Sequence, residues 1–118
     1  MRMERVNEHL KREIGDIILK EIQDPRLSFI TIVSVETSRD LRQAKVYYSF
    51  LGKKEQLNSV KAGLERARGF IRKLIGQRLT IRYTPELVFI YDQSIEYGDR
   101  IEQALKEIHG SQSDRKGN

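Results

Sequence analysis

Val6, Leu10, Ile14, Ile17, Ile18 and Ile22 recur three or four residues apart. That spacing predicts an amphipathic first helix over 5–22. Asp24-Pro25-Arg26 ends it, because the residue before a proline is driven out of the helical region. The pattern then changes. Residues 29–35 are dense in β-branched side chains, which predicts a strand. After a polar connection over 37–42, Ala44, Val46, Tyr48 and Phe50 alternate with Lys45, Tyr47 and Ser49, predicting a second strand over 43–51. The short link makes the two strands an antiparallel hairpin. Helical spacing returns over 55–79 with Val60, Leu64, Ala67, Ile71, Leu74 and Ile75. Residues 86–92 read as a third strand, with Pro85 at its start, where a missing N–H does least harm. Ser94 can cap a last helix over 95–108 that carries Ile95, Ile101, Leu105 and Ile108. The polar residues 110–118 have nothing to bury and predict a flexible tail after a single domain of residues 1–109. The expected core joins Ile14, Ile17, Ile18, Leu64, Ile71 and Leu74 to Val46, Tyr48 and Val88.

Charge singles out one of these elements. Between Lys53 and Arg82 there are nine Lys or Arg and two acids, +7 in a chain whose total is only +5, so the remainder stands at −2. Positive charge concentrated on a helix is the electrostatic footprint of a phosphate-binding surface. The candidate RNA-binding residues are Lys53, Lys54, Lys61, Arg66, Arg68, Gly69, Arg72, Lys73 and Arg78. Gly69 leaves two readings open. The apolar period runs on through it, as in one continuous helix, but a glycine can also mark a bend between two helices or a close approach of ligand.

The order helix, hairpin, paired helices, third strand is that of the type II KH domain, an RNA-binding module. Glu21-Ile22-Gln23-Asp24-Pro25-Arg26-Leu27 after an amphipathic helix is similar to the start of the ribosome-binding factor A family. Ile30-Thr31-Ile32 through Val35, Asp40-Leu41, Ala44-Lys45-Val46-Tyr47 and Phe50-Leu51-Gly52 follow in that family's order. Ala67-Arg68-Gly69 resembles its helix–kink–helix, in which an Ala-x-Gly bend replaces the Gly-x-x-Gly loop of KH domains. The resemblance implies an α+β, type II KH-like fold, α-β-β-α-kink-α-β-α, with a three-stranded sheet and the helices on one face. It also implies a bacterial, cytoplasmic, monomeric assembly factor that binds the small ribosomal subunit (30S) and its immature 16S rRNA. Such a factor aids 5′-end processing and growth in the cold. No Gly-x-x-Gly occurs in this chain, so the usual KH clamp on a single strand does not carry over.

Enzyme chemistry finds no constellation. With no cysteine, disulfides and thiolate chemistry are excluded. His9 and His109 stand apart, the acids show no metal-ligand spacing, and no glycine loop cradles a phosphate. No cofactor, metal or small-molecule substrate is expected. No apolar run reaches the ~18 residues of a membrane span, and residues 1–13 lack the apolar segment of a secretory leader. Tyr47 and Tyr48 are adjacent on a strand, so only one can face RNA while the other enters the core. The alternative function is a KH-like adaptor whose basic stripe meets an acidic protein, because fold alone does not separate the two.

Overall fold

The computed structural model describes residues 3–93. The helix expected over 95–108 and the tail lie outside the described residues. Five elements follow in order: α1 (Met3–Lys20), β1 (Ile30–Thr37), β2 (Gln43–Phe50), α2 (Leu57–Arg78) and β3 (Glu86–Tyr91). Short 3-10 turns at Pro25–Leu27 and Lys54–Gln56 lead into β1 and α2.

The three strands form one mixed sheet in the order β1-β2-β3. β1 and β2 pair antiparallel, from Ile30 opposite Phe50 to Thr37 opposite Ala44. β3 runs parallel to β2, from Gln43 beside Glu86 to Tyr48 beside Tyr91. A parallel neighbour needs a crossover connection, and α2 is that crossover. Both helices pack on one face of the sheet, where a single core gathers Leu10, Ile14, Ile17, Val46, Tyr48, Leu64, Ile71, Ile75 and Leu87. In β1 the register shifts between Ile32 and Ser34. A bulge there adds one residue and resets the alternation, so that Ile32 and Val35, an odd number apart, both reach the core.

Between α1 and β1, Asp24 accepts hydrogen bonds from the Arg26 backbone N–H at 3.0 Å and from its guanidinium Nη2 at 2.7 Å. These bonds hold the Asp24 carboxyl down to about 2. The turn lies on α2 at Gly63, where a Cβ would meet Asp24 Oδ2 and Leu27 Cδ2 at 3.3 Å.

Three expectations need correction. α2 is one uninterrupted helix of 22 residues, with no break at Gly69. The buried stripe of Val60, Leu64, Ile71 and Ile75 continues past that position, and Gly69 faces open space, so nothing there forces the axis to turn. Val88 does not enter the core. It lies beside Lys45 on the opposite sheet face, and Leu87, beside the fully buried Ala44, takes its place. Leu74 is half-buried at the edge of the stripe, and Ile75 is the side chain fully enclosed there.

Candidate nucleic-acid interface

The outer face of α2 is set by its inner one. Successive residues advance by about 100°, so Ala62, Gly69 and Gly76, seven apart, fall on a line opposite the buried stripe. Lys61, Arg68 and Arg72 flank this line on one side, Arg66 and Lys73 on the other. A straight helix therefore carries both basic rows on its exposed face, with Ala62, Glu65, Gly69 and Gly76 between them.

Beside the C-terminal half of α2 lies a cleft of about 830 Å³ lined by Arg42, Gly69, Arg72, Lys73, Gly76, Arg82, Tyr83, Thr84 and Glu86. One wall is α2. The other is the segment over 80–85, which has no helix or strand of its own and is tied down by a side chain. Arg72 donates through Nη2 to the Thr84 carbonyl at 2.8 Å and through Nε to the Pro85 carbonyl at 3.2 Å. Thr84 then sits so close to α2 that a Cβ on Gly76 would lie 2.9 Å from its Oγ1. Arg42 closes one end, because its carbonyl accepts the Glu86 N–H at 2.8 Å where β3 begins beside β2. Among the described residues four cationic side chains thus surround the cleft against one carboxylate, Glu86. Tyr83 is 58% exposed, and the Arg82 guanidinium carbon lies 5.6 Å from its ring centroid, within cation–π range.

Of the nine residues expected to bind RNA, this cleft brings together Gly69, Arg72 and Lys73. Arg72 spends its guanidinium on two carbonyls and acts there as a strap. Lys61 and Arg66 lie further along the exposed face, without an ion pair among the described residues. Arg68 makes an exposed pair with Glu65 at 3.3 Å. Lys53 and Lys54 lie at the other end of α2, roughly 28 Å from Lys73 at 1.5 Å per residue, so the basic residues form a stripe and not a point. Arg78 faces away from the stripe. It reaches Glu13 at 3.1 Å, Asp16 at 2.9 Å and Glu21 at 3.5 Å on and just after α1. Its hydrogen bond, helped by Lys20, holds the Asp16 carboxyl below the usual carboxylate range.

Arg42, Arg82, Tyr83, Thr84 and Glu86 were not among the expected site residues. Arg82-Tyr83, a basic–aromatic pair directly after the helix, was visible in the sequence; the approach of Arg42 depends on the β2–β3 pairing and was not. Of the tyrosine pair, Tyr48 is buried and packs on Tyr91 at 5.8 Å between ring centroids. Tyr47 lies on the sheet face away from α1 and α2, its hydroxyl donating to Glu36 at 3.4 Å. Among the described residues no group of acids and histidines could hold a metal ion, and no helix is long and apolar enough to cross a membrane.

The family model for ribosome-binding factor A matches residues 2–105. The chain belongs to the ribosome-binding factor A family. A ribosome-binding factor A from Halothermothrix orenii is 50% identical over 115 residues, 97% of this chain and 94% of that one. The crystal structure of ribosome-binding factor A from Thermus thermophilus matches with a TM-score of 0.69 at 25% identity, covering 77% of this chain and 97% of that chain. The solution structure of a putative ribosome-binding factor A from Thermotoga maritima matches at 0.60 and 37% identity, covering 76% and 90%. A Thermus thermophilus homology model fitted into a cryo-EM map of a 30S complex with this factor matches at 0.61 and 28% identity, covering 74% and 91%.

Proposed function

We propose that this chain is a ribosome-assembly factor that docks on the small ribosomal subunit and its immature 16S rRNA through the outer face of α2. It performs no chemistry of its own. It acts as a cytoplasmic monomer, aids maturation of the rRNA 5′ end and supports growth in the cold. The observation that carries this reading is the exposed basic face of α2, on a family fold whose Thermus thermophilus member has been fitted into a 30S complex. Lys61, Arg66 and Lys73 neutralise phosphates, and Arg68 joins them by exchanging the Glu65 pair for one, since an exposed ion pair is weak.

Sedimentation of the tagged protein with isolated small subunits tests the docking. Four phosphate contacts give a log–log salt slope of roughly −3 to −4. The triple change Lys61→Glu, Arg66→Glu, Lys73→Glu abolishes co-sedimentation while circular dichroism stays unchanged. A folded triple variant that still sediments with subunits, at the same salt slope, moves the contact off α2. Binding to an acidic protein with no binding to subunits replaces the reading with that of an adaptor. The processing role is tested by measuring 5′-extended precursor rRNA in cells lacking the protein, grown cold and warm.

A further inference from the structure

We propose that the cleft between α2 and the segment over 80–85 holds one unpaired nucleotide of an RNA strand, its base stacked on Tyr83 and its phosphate held by Arg42, Lys73 and Arg82. The inference rests on the RNA-binding reading above and specifies what one end of the stripe recognises. An exposed phosphate stripe alone grips duplex and single strand alike, since it reads only charge. The cleft adds three features that a stripe lacks.

The first is an aromatic ring set among cations. Tyr83 is 58% exposed, and Arg82 lies beside its ring. Bases of single strands stack on such platforms, whereas duplex bases are already stacked on each other. The second is the division of labour among the cations. Arg72 is committed to the Thr84 and Pro85 carbonyls and holds the wall in place. Arg82 faces Tyr83, Lys73 makes no ion pair among the described residues, and Arg42 has only a distant exposed pair with Asp40 at 3.9 Å. These three are available to a phosphate. The third is Glu86, the single carboxylate of the lining among the described residues. It would repel a bare phosphate brought alongside but accepts a hydrogen bond from a ribose hydroxyl or a base amino group. A nucleotide presents both an anion and donors, and so matches the whole lining. Gly69, with nothing near the position of its missing Cβ, leaves the helix side of the cleft open to a ribose.

The test measures fluorescence anisotropy of a labelled single-stranded RNA octamer and of a labelled RNA hairpin duplex. It uses the full chain and its Tyr83→Leu, Tyr83→Phe and Lys73→Gln variants. Tyr83→Leu weakens the octamer roughly 5- to 150-fold, the span that corresponds to one stacked base, and leaves the duplex unchanged. Tyr83→Phe binds as the parent does. Lys73→Gln weakens both ligands. Circular dichroism confirms folding, and Tyr83→Ser repeats the measurement should the leucine variant misfold. Unchanged octamer binding by the folded Tyr83 variants overturns the stacking, and equal losses on octamer and duplex overturn the preference for an unpaired base. A parent that sediments with small subunits but does not bind the octamer overturns this inference and leaves the ribosomal reading standing. A parent that binds neither subunits nor RNA removes both.

Discussion

Three glycines in α2 carry one intrinsic effect into three surroundings, and replacing each with alanine tests whether the helix is continuous. Gly→Ala inside a helix gains about 0.5–1 kcal/mol. At Gly69 the new Cβ meets nothing within 4 Å, so the whole gain is expected. For a domain near this size that raises the melting temperature by about 2–6 °C. At Gly76 the Cβ would lie 2.9 Å from Thr84 Oγ1. The threonine must turn away, and the net effect falls near zero. At Gly63 the Cβ would meet Asp24 Oδ2 and Leu27 Cδ2, both at 3.3 Å, in a buried contact. Overpacking there costs roughly 1–3 kcal/mol, which outweighs the helical gain. Urea denaturation followed by far-UV circular dichroism should therefore rank Gly69→Ala above the parent, Gly76→Ala level with it and Gly63→Ala below. A Gly69→Ala protein less stable than the parent by ~1 kcal/mol or more would refute the continuous helix, because it would place Gly69 in a backbone conformation that only glycine accepts.

Leu87→Ala should cost about 2–5 kcal/mol and Val88→Ala less than about 1 kcal/mol, read from urea midpoints; equal losses would contradict the assigned faces of β3. Arg78→Gln should lower thermal stability at low salt, with the deficit shrinking as salt is added, and should raise the Asp16 pKa seen by NMR. Its RNA affinity should stay within about 2-fold; weaker RNA binding at unchanged stability would return Arg78 to the phosphate face. Asp24 titrates near 2 in the folded chain against an ordinary value of 3.8. Its bonds to Arg26 therefore stabilise the fold fully above about pH 4, and that contribution is lost as pH falls toward 2. The parent should be the more stable of the parent and Asp24→Asn at neutral pH, with the gap closing over that window; a gap independent of pH would remove the carboxylate from the account.

α1, the basic helical element and the hairpin are legible because their signals are local. The three- and four-residue spacing of Val6 to Ile18 and of Val60 to Ile75 reappears as buried stripes, with Ala67 and Leu74 only partly buried in the second. β3 shows where local signals end. Its run Leu87-Val88-Phe89-Ile90 is apolar at every position, so no alternation marks the inner face, and only the register against β2 decides that Leu87 goes in. Gly69 was ambiguous for a related reason: a glycine in a periodic helix looks alike whether it bends the axis or leaves a surface open. The sequence places Arg78 among the phosphate ligands because net charge does not record partners. Its three carboxylates stand on or just after α1, far away in sequence. The cleft was half legible. Arg72 and Lys73 lie within the basic helix, but Arg42 joins them only through a strand pairing between residues about forty apart.

The parallel pairing of β2 with β3 also governs when the cleft can exist during folding. The β1–β2 hairpin closes a short loop and can form early, while β3 must wait for α2 to be made and laid across the sheet, since long-range pairings cost more loop closure before they return any contact. The cleft draws Arg42 from one side of that delay and Arg82, Tyr83 and Glu86 from the other. A nascent chain ending before residue 80 already carries nearly all the positive charge of α2, and with it a general attraction to polyanions, yet has no cleft. The cleft therefore arrives with β3, and the discriminating binding proposed for it cannot precede that strand.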